Sequence, residues 1–370
     1  MVDDVSIADR RFMARALQLA EHGLFTTDPN PRVGCVLVKN NEVIGEGWHQ
    51  RAGEAHAEIN ALRAAGRLAK NGAKGATAYI TLEPCCHHGR TPPCSDALIA
   101  AGVSRVVVAM EDPNPQMAGQ GLAQLQKVGM EIYCGVLQMQ AEALNLGFIK
   151  RMRTGRPFVR GKMAMSLDGR TAMASGESQW ITGKDARHDV HRLRARSAAI
   201  ITGIGTVLAD DPSLTVRLDD DVEQPLRVVL DSRLQMPLTA KMLSLPGRTL
   251  VLTVNTDEQK AAALRNAGAE VTVVASSDGR PDLSAVLDCL AFHEINEVLV
   301  EAGATLSGAF LQAGLFDELV IYMAPLLMGS DARGLLDLPG VKEMDQAVKL
   351  EIVDVRAVGC DWRLQIKAIK

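Results

Sequence analysis

Between residues 56 and 94 the chain carries His56-Ala-Glu58, Thr81-Leu-Glu-Pro84-Cys85 and Pro92-Pro-Cys94. For these side chains to act together, two helix starts and the end of a strand must converge on one point. That requirement narrows the fold more than any other feature of the sequence. A catalytic zinc takes three protein ligands, from neutral imidazole and thiolate, and leaves a fourth position for water. It draws the pKa of that water from about 15.7 towards about 7. A carboxylate that is not a ligand must then carry protons from the water to a leaving group, and Glu58 fits that task. The run Ala57-Glu-Ile-Asn-Ala-Leu-Arg-Ala-Ala65 predicts a helix opening at His56. His56 and Glu58 then share its first turn, about 200° apart around the axis, where bare backbone amides favour anions.

The pattern His-x-Glu followed by Pro-Cys-x-x-Cys marks zinc nucleobase deaminases, and this chain departs from it. His88 stands where the second cysteine would be, and Cys94 comes nine residues after Cys85. Either His88 is the third ligand, or the loop from Cys86 to Pro93 is an insertion that delivers Cys94. The stretch Ser95-Asp-Ala-Leu-Ile-Ala-Ala-Gly102 predicts a helix beginning at Cys94, and a helix N-terminus stabilises a thiolate. This favours Cys94 and leaves Cys86, His87 and His88 as loop residues. A structural zinc site would close with a fourth protein ligand, and a cysteine alone is more often a small buried hydrophobe. The joint spacing with Glu58 selects the catalytic reading. Cys35, Cys134, Cys289 and Cys360 lack such company and read as core or surface thiols.

This stretch resembles the family of bifunctional riboflavin-biosynthesis deaminase/reductases, whose deaminase half has the long Cys-x8-Cys spacing with His-His-Gly-Arg-Thr-Pro-Pro inside it. Thr26-Thr-Asp-Pro-Asn30-Pro-Arg-Val-Gly-Cys35 and Gly47-Trp-His49-Gln-Arg-Ala-Gly-Glu-Ala-His56 add to the likeness. It continues through the second half and covers nearly the whole chain. The resemblance implies an α/β protein: an N-terminal cytidine deaminase-like three-layer α/β/α domain and a C-terminal dihydrofolate reductase-like α/β domain. It implies Zn2+ in the first domain, NADPH in the second, a phosphorylated pyrimidine as substrate, and a homo-oligomer. Asn30, His49 and Arg90 are candidates for holding base, ribose or phosphate in the deaminase half.

A chain of 370 residues with 47% apolar and 23% charged content can bury more than one core. The first half alternates elements: a helix at 7–21, a hairpin of 33–38 and 43–48 around Asn40-Asn41, and the helix after His56. Strands at 76–82, 105–110 and 131–134 follow, with helices at 94–102, 121–129 and 138–152 between and after them. Thr154-Gly-Arg-Pro157 carries the turn formers of a linker, so the expected domains are 1–153 and 154–370. In the second half strands are expected near 158–165, 198–204, 226–230, 249–254, 270–274, 297–300 and 318–323, with helices between several. Residues 352–358 and 362–369 read as a terminal antiparallel pair.

Seven cysteines, three of them in the metal region, argue against a disulfide framework. With an acidic start and no run of about 18 apolar residues, the expectation is a cytoplasmic protein with no membrane partner. Residues 1–150 carry 14 Lys+Arg against 15 Asp+Glu, and the rest 26 against 29. Neither half has the excess of positive charge expected of a nucleic-acid binder, which argues against a nucleic-acid deaminase fused to an unrelated domain. A zinc-stabilised binding module without catalysis is the other alternative. Lys150, Arg151, Arg153 and Arg156 cluster at the junction and read as a solvated linker or helix C-terminus.

A second site is expected after residue 154. Gly203-Ile-Gly205 lacks the third glycine of a dinucleotide fingerprint and is weak by itself. In Val298-Leu-Val-Glu301-Ala-Gly303-Ala-Thr305 a strand ends in a carboxylate and a glycine before a helix of small residues, leaving amides bare for a phosphate. The family resemblance implies NADP contacts at Ala164, Trp180, Thr206, Asp210 and Ser232, and along Gly303, Ala304, Thr305, Leu306, Ser307, Gly308 and Ala309. It implies substrate contacts at Ser178, Arg194, Leu214, Arg217 and Glu301, the two arginines suiting a sugar phosphate through bidentate bonds.

Overall fold

The computed structural model describes residues 6–68, 72–87, 93–219 and 222–368. They divide into two compact units, Met1–Gly155 and Arg156–Lys370.

In the first unit the elements run α1 (Ile7–Glu21), β1 (Gly34–Lys39), β2 (Glu42–Trp48), α2 (Ala57–Leu68), β3 (Thr77–Ile80) and α3 (Cys94–Ala100). Then come β4 (Arg105–Val108), α4 (Gln120–Lys127), β5 (Glu131–Cys134), α5 (Gln138–Leu144) and α6 (Leu146–Thr154). The described strands form one sheet of order β2-β1-β3-β4-β5, with β1 antiparallel to both neighbours and β3, β4 and β5 parallel. Register decides the layers. Cys35 pairs with Gly47 and Leu37 with Gly45, so both glycines share one face, while Gly34 points to the other. A Cβ on Gly34 would lie 2.0 Å from the Ala16 carbonyl of α1, and one on Gly47 2.4 Å from the Ala61 nitrogen of α2. The two helices therefore press on opposite faces at distances only glycine allows, which gives three layers. The expected single helix over 138–152 is two, because Asn145 is buried and spends its amide on Arg32: its Oδ1 accepts from the Arg32 N–H (2.8 Å) and its Nδ2 donates to the Arg32 carbonyl (3.0 Å). That cross-link breaks the helix between Leu144 and Leu146.

The second unit opens with β6 (Phe158–Ser166), β7 (Arg170–Ala172), α7 (Lys184–Ala195), β8 (Ala199–Gly203), α8 (Ile204–Asp210) and β9 (Leu226–Leu230). It continues with α9 (Lys241–Ser244), β10 (Thr249–Thr253), α10 (Glu258–Asn266), β11 (Glu270–Val273), β12 (Ser276–Ser277), β13 (Arg280–Pro281) and α11 (Leu283–Phe292). The last elements are β14 (Glu297–Val300), α12 (Ala304–Gln312), β15 (Glu318–Ala324), β16 (Arg333–Gly334), a 3-10 turn at Met344–Gln346, β17 (Leu350–Val358) and β18 (Asp361–Ala368). The main described sheet has the order β11-β10-β9-β8-β14-β6-β15-β18-β17. It is parallel from β11 to β15 and closes with an antiparallel pair. Alternate residues feed two cores: Ala199 and Ile201 join one with Val228, Val298 and Phe310, while Ile200 joins the other with Val229, Val251 and Leu299. A parallel sheet covered on both faces explains these near-continuous apolar strands. Its loops after β6, β8, β9 and β14 share one edge, where open α/β sheets bind ligands. Among the described residues no helix is long and apolar enough to cross a membrane.

Candidate functional site

His56 caps α2, its carbonyl accepting the Asn60 amide at 3.1 Å. β3 runs on through Thr81, tied to Gly34, and Glu83, whose amide donates to the Met110 carbonyl (3.0 Å), and so delivers Cys85 at the strand's end. Cys94 opens α3, and the Ser95 amide donates to the Cys85 carbonyl at 3.1 Å. The His56 Nδ1 lies 3.6 Å from the Cys85 Sγ and 3.4 Å from the Cys94 Sγ, and all three ligand atoms fall within 4.8 Å of one another. One imidazole and two sulfurs at that spacing fit zinc, with a fourth position left for water. Among the described residues this is the one group of three or more such side chains that could hold a metal ion. His88 and Arg90 lie outside the described residues.

Glu58 is buried beside this triad. Burial first, and then the negative charge of Cys85, push its carboxyl up to about 7. Proton exchange near neutral pH suits a group that must both take and give protons. The Cys94 thiol and its amide, with His56, draw the Cys85 thiol down, while Cys85 and burial push Cys94 up. Cys85 in turn raises His56.

Glu83, passed over in the sequence, is the buried organiser of this corner. Its carboxylate accepts the amides of Asp112 (2.9 Å), Gly119 (2.9 Å), Gly121 (2.8 Å) and Leu122 (3.3 Å). His49 is buried with both ring nitrogens engaged, Nδ1 with the Ala55 carbonyl (3.2 Å) and Nε2 with the Asn30 amide nitrogen (3.0 Å), and its ring stands 5.3 Å from that of His56. Burial lowers its pKa, so the neutral imidazole donates to Ala55 and accepts from Asn30. Both nitrogens of His49 are thus engaged within the protein, one of them on Asn30, the other candidate for holding the substrate.

In the second unit a cavity of about 950 Å³ opens along the edge where β6, β8, β9 and β14 end. It gathers Ala164, Ser178, Trp180, Arg194, Thr206, Asp210, Leu214, Arg217, Ser232, Glu301, Gly303, Ala304, Thr305, Leu306 and Ala309 from seven separate stretches of chain. Ser307 and Gly308 do not line it. They lie buried, Gly308 so tight against the chain at Asp337 that a Cβ would come 1.9 Å from its carbonyl oxygen. α12 and α8 both begin at a glycine with no side-chain cap, Gly303 and Gly203, and both glycines line the cavity. The bare amides of two helix starts thus meet one space, which gives Gly203-Ile-Gly205 the setting its sequence alone lacked.

Arg194 grips Glu301 with its whole fork, Nε to Oε1 at 2.6 Å and Nη2 to Oε2 at 2.9 Å, and gives Nη1 to the Thr215 carbonyl at 3.0 Å. The Arg194 fork, a candidate for bidentate capture of a phosphate, is thus occupied by a carboxylate in this structure. Burial opposes charge on Glu301, yet Arg194 outweighs it and keeps the carboxyl below its ordinary value. Lys162 on β6 lines the same end, its ammonium drawn down by burial against the pull of Glu301. Arg217 is exposed and meets His191, whose Nδ1 accepts the Arg217 amide (3.2 Å) and whose Nε2 lies 3.4 Å from the Arg217 Nε. Burial and then the charges of Arg194 and Arg217 take His191 down to about 4. Lys162 and His191 escaped sequence reasoning.

Two family models match. The cytidine and deoxycytidylate deaminase zinc-binding region covers residues 6–110, and the RibD C-terminal domain covers 157–364. The riboflavin biosynthesis protein RibD of Escherichia coli (strain K12) is 52% identical over 370 residues, covering 97% of this chain and 99% of that one. Acinetobacter baumannii RibD superposes with a TM-score of 0.90 at 47% identity over 98% of this chain and 99% of that one. The Thermotoga maritima diaminohydroxyphosphoribosylaminopyrimidine deaminase/5-amino-6-(5-phosphoribosylamino)uracil reductase does so with 0.88 at 33% identity, again over 98% and 99%. A zinc-shaped triad beside a buried acid in one unit, a reductase cavity in the other, and likeness along the whole length agree: the chain belongs to the RibD family, the bifunctional deaminases and reductases of riboflavin biosynthesis.

Proposed function

We propose that the first unit hydrolyses the exocyclic 2-amino group of 2,5-diamino-6-(5-phosphoribosylamino)pyrimidin-4-one, and that the second reduces the ribosyl group of the deaminated product to a ribityl phosphate. The observation that carries this reading is the convergence of His56, Cys85 and Cys94 within 4.8 Å, with buried Glu58 alongside. His56, Cys85 and Cys94 hold the ion. Bound there, zinc supplies Lewis acidity and brings a water's pKa down towards about 7. Glu58 would take a proton from the attacking water, give it to the ring, and pass the next to the departing amine, which leaves as ammonia. Asn30, fixed by His49, holds the base, and the family pattern adds Arg90 for the phosphate.

In the second unit the bare amides at Gly203 and Gly303 take the cofactor's phosphates, and Ala164, Trp180, Thr206, Asp210 and Ser232 line its path. When bound, NADPH supplies the hydride and the organic chemistry of the step. Glu301, pinned by Arg194 and facing Lys162, orients the sugar, with Ser178 and Leu214 around it. Arg217 is the guanidinium open to the sugar phosphate. The acceptor is the ring-opened imine at C1′, which gains hydride at carbon and a proton at nitrogen. The partner is a small molecule rather than a nucleic acid, in keeping with the near-neutral charge, and the cell compartment proposed is the cytoplasm. A homo-oligomer belongs to the same reading. β17 is a sheet edge with Ile352 57%, Val353 48% and Val355 49% exposed, and such an edge invites pairing.

The test is an order-of-addition assay on the purified protein. Ammonia release from the diaminopyrimidinone should precede NADPH oxidation, and the reductase should act on the deaminated phosphoribosyl compound. Equal NADPH oxidation with the unprocessed amine would contradict the order, and ammonia release from RNA instead would contradict the substrate.

A further inference from the structure

The cavity of the second unit has chemically different ends. Lys162 on β6 and Glu301 after β14 mark one, where the sugar is held. At the other, past β9, the lining is Leu230, Ser232, Arg280, Pro281 and Leu283. Arg280 sits on the hairpin of β12 and β13, closed by Asp278 and Gly279 with φ of 49° and 75°. Two left-handed residues make the tight turn whose twist suits a hairpin, and the pairing of Ser277 with Arg280 fixes where the guanidinium starts. The side chain is exposed, and among the described residues it makes no ion pair or hydrogen bond.

The carboxylate at the end of β9 is engaged elsewhere. Asp231 is fully buried, its Oδ1 accepting the Arg233 amide (3.2 Å) and its Oδ2 those of Gln235 (2.6 Å) and Met236 (2.8 Å). In dinucleotide crevices an acid near this place accepts the ribose 2′-hydroxyl of NAD, whereas an arginine accommodates a 2′-phosphate. Here the acid is turned inward and the arginine faces the cavity.

We propose that Arg280 binds the 2′-phosphate of NADPH and sets the preference of this unit for NADPH over NADH, with the Ser232 hydroxyl as a second donor. The proposal rests on reading the cavity as the NADPH site. Arg333 also lines the cavity, but it comes from β16, which pairs with β7, the short strand that follows β6 after the turn at 167–169. Three strand spacings, about 14 Å, separate β6 from β9.

The experiment is calorimetric titration of the full-length protein with adenosine 2′,5′-bisphosphate and, separately, with 5′-AMP. The bisphosphate should bind the unsubstituted protein more tightly. Arg280→Ala should weaken it by about ten- to a hundredfold and leave the 5′-AMP Kd unchanged, which also reports an intact fold. The ratio of KM for NADH to KM for NADPH should fall by a similar factor. Equal weakening of both ligands, no weakening, or a loss of discrimination in Arg333→Ala instead of Arg280→Ala would overturn the proposal. Binding of neither nucleotide to the unsubstituted protein would overturn the cavity reading itself, and the proposal with it.

Discussion

Glu83 contributes no ligand, yet its two oxygens collect four amides of residues 112–122 and lie two residues from Cys85. Removing a buried acceptor leaves those donors unsatisfied, and outer partners of metal ligands govern affinity. Glu83→Ala is expected to lower zinc affinity by about 10- to 100-fold, read by competition with a chelator, while Glu83→Gln recovers part of it. Cys86→Ser should leave zinc content unchanged, whereas Cys94→Ser should lower it, as atomic absorption would show. His56, Glu58, Cys85 and Cys94 were legible because their chemistry is encoded in short spacings. Lys162 and His191 were not, since a lysine on a strand and a histidine on a charged helix gain meaning only when distant segments surround them. Arg194 was legible as a candidate, but its pairing with Glu301 was not, because sequence does not show which carboxylate meets its fork.

α2 carries Glu58 in its first turn, and the glycines of β2 let it come close. A methyl group at Gly47 would meet the Ala61 nitrogen at 2.4 Å and the Ala57 carbonyl at 2.5 Å, both backbone atoms that cannot swing aside. Gly47→Ala should cost about 1–3 kcal/mol, measurable as a lower Tm, and should reduce zinc content by shifting His56 from the two sulfurs. α1 is tied down electrostatically. Burial works against charge on Asp9, but Arg105, then Tyr79 and Ser6, hold its carboxyl well below the usual range. A depressed folded pKa contributes stability that is present above the unfolded value, about 3.9, and lost as pH falls towards the lower folded value. Acid unfolding followed by circular dichroism should therefore show a steep loss of stability below about pH 4 that Asp9→Asn flattens. Strand and helix positions were legible from periodicity, down to the 131–134 strand. The break at Asn145 was not, because it depends on a hydrogen bond to a residue 113 positions away.

The whole chain joins two units that each fold around their own sheet and core. A lesion in one site is expected to leave the other working: a deaminase-dead chain should still oxidise NADPH at the unsubstituted rate when given the deaminated compound. Ile352→Lys together with Val355→Lys, on the exposed β17 edge, should lower the mass found by sedimentation, and an unchanged mass would count against that edge as the joining surface. The central claim is that three side chains hold zinc while a fourth moves the protons, and Glu58→Gln separates those roles. Zinc content and ammonia release measured on the same preparation of that variant should give full metal with deamination reduced by about 10²- to 10⁴-fold. Deamination retained at the unsubstituted rate with zinc in place would contradict the account.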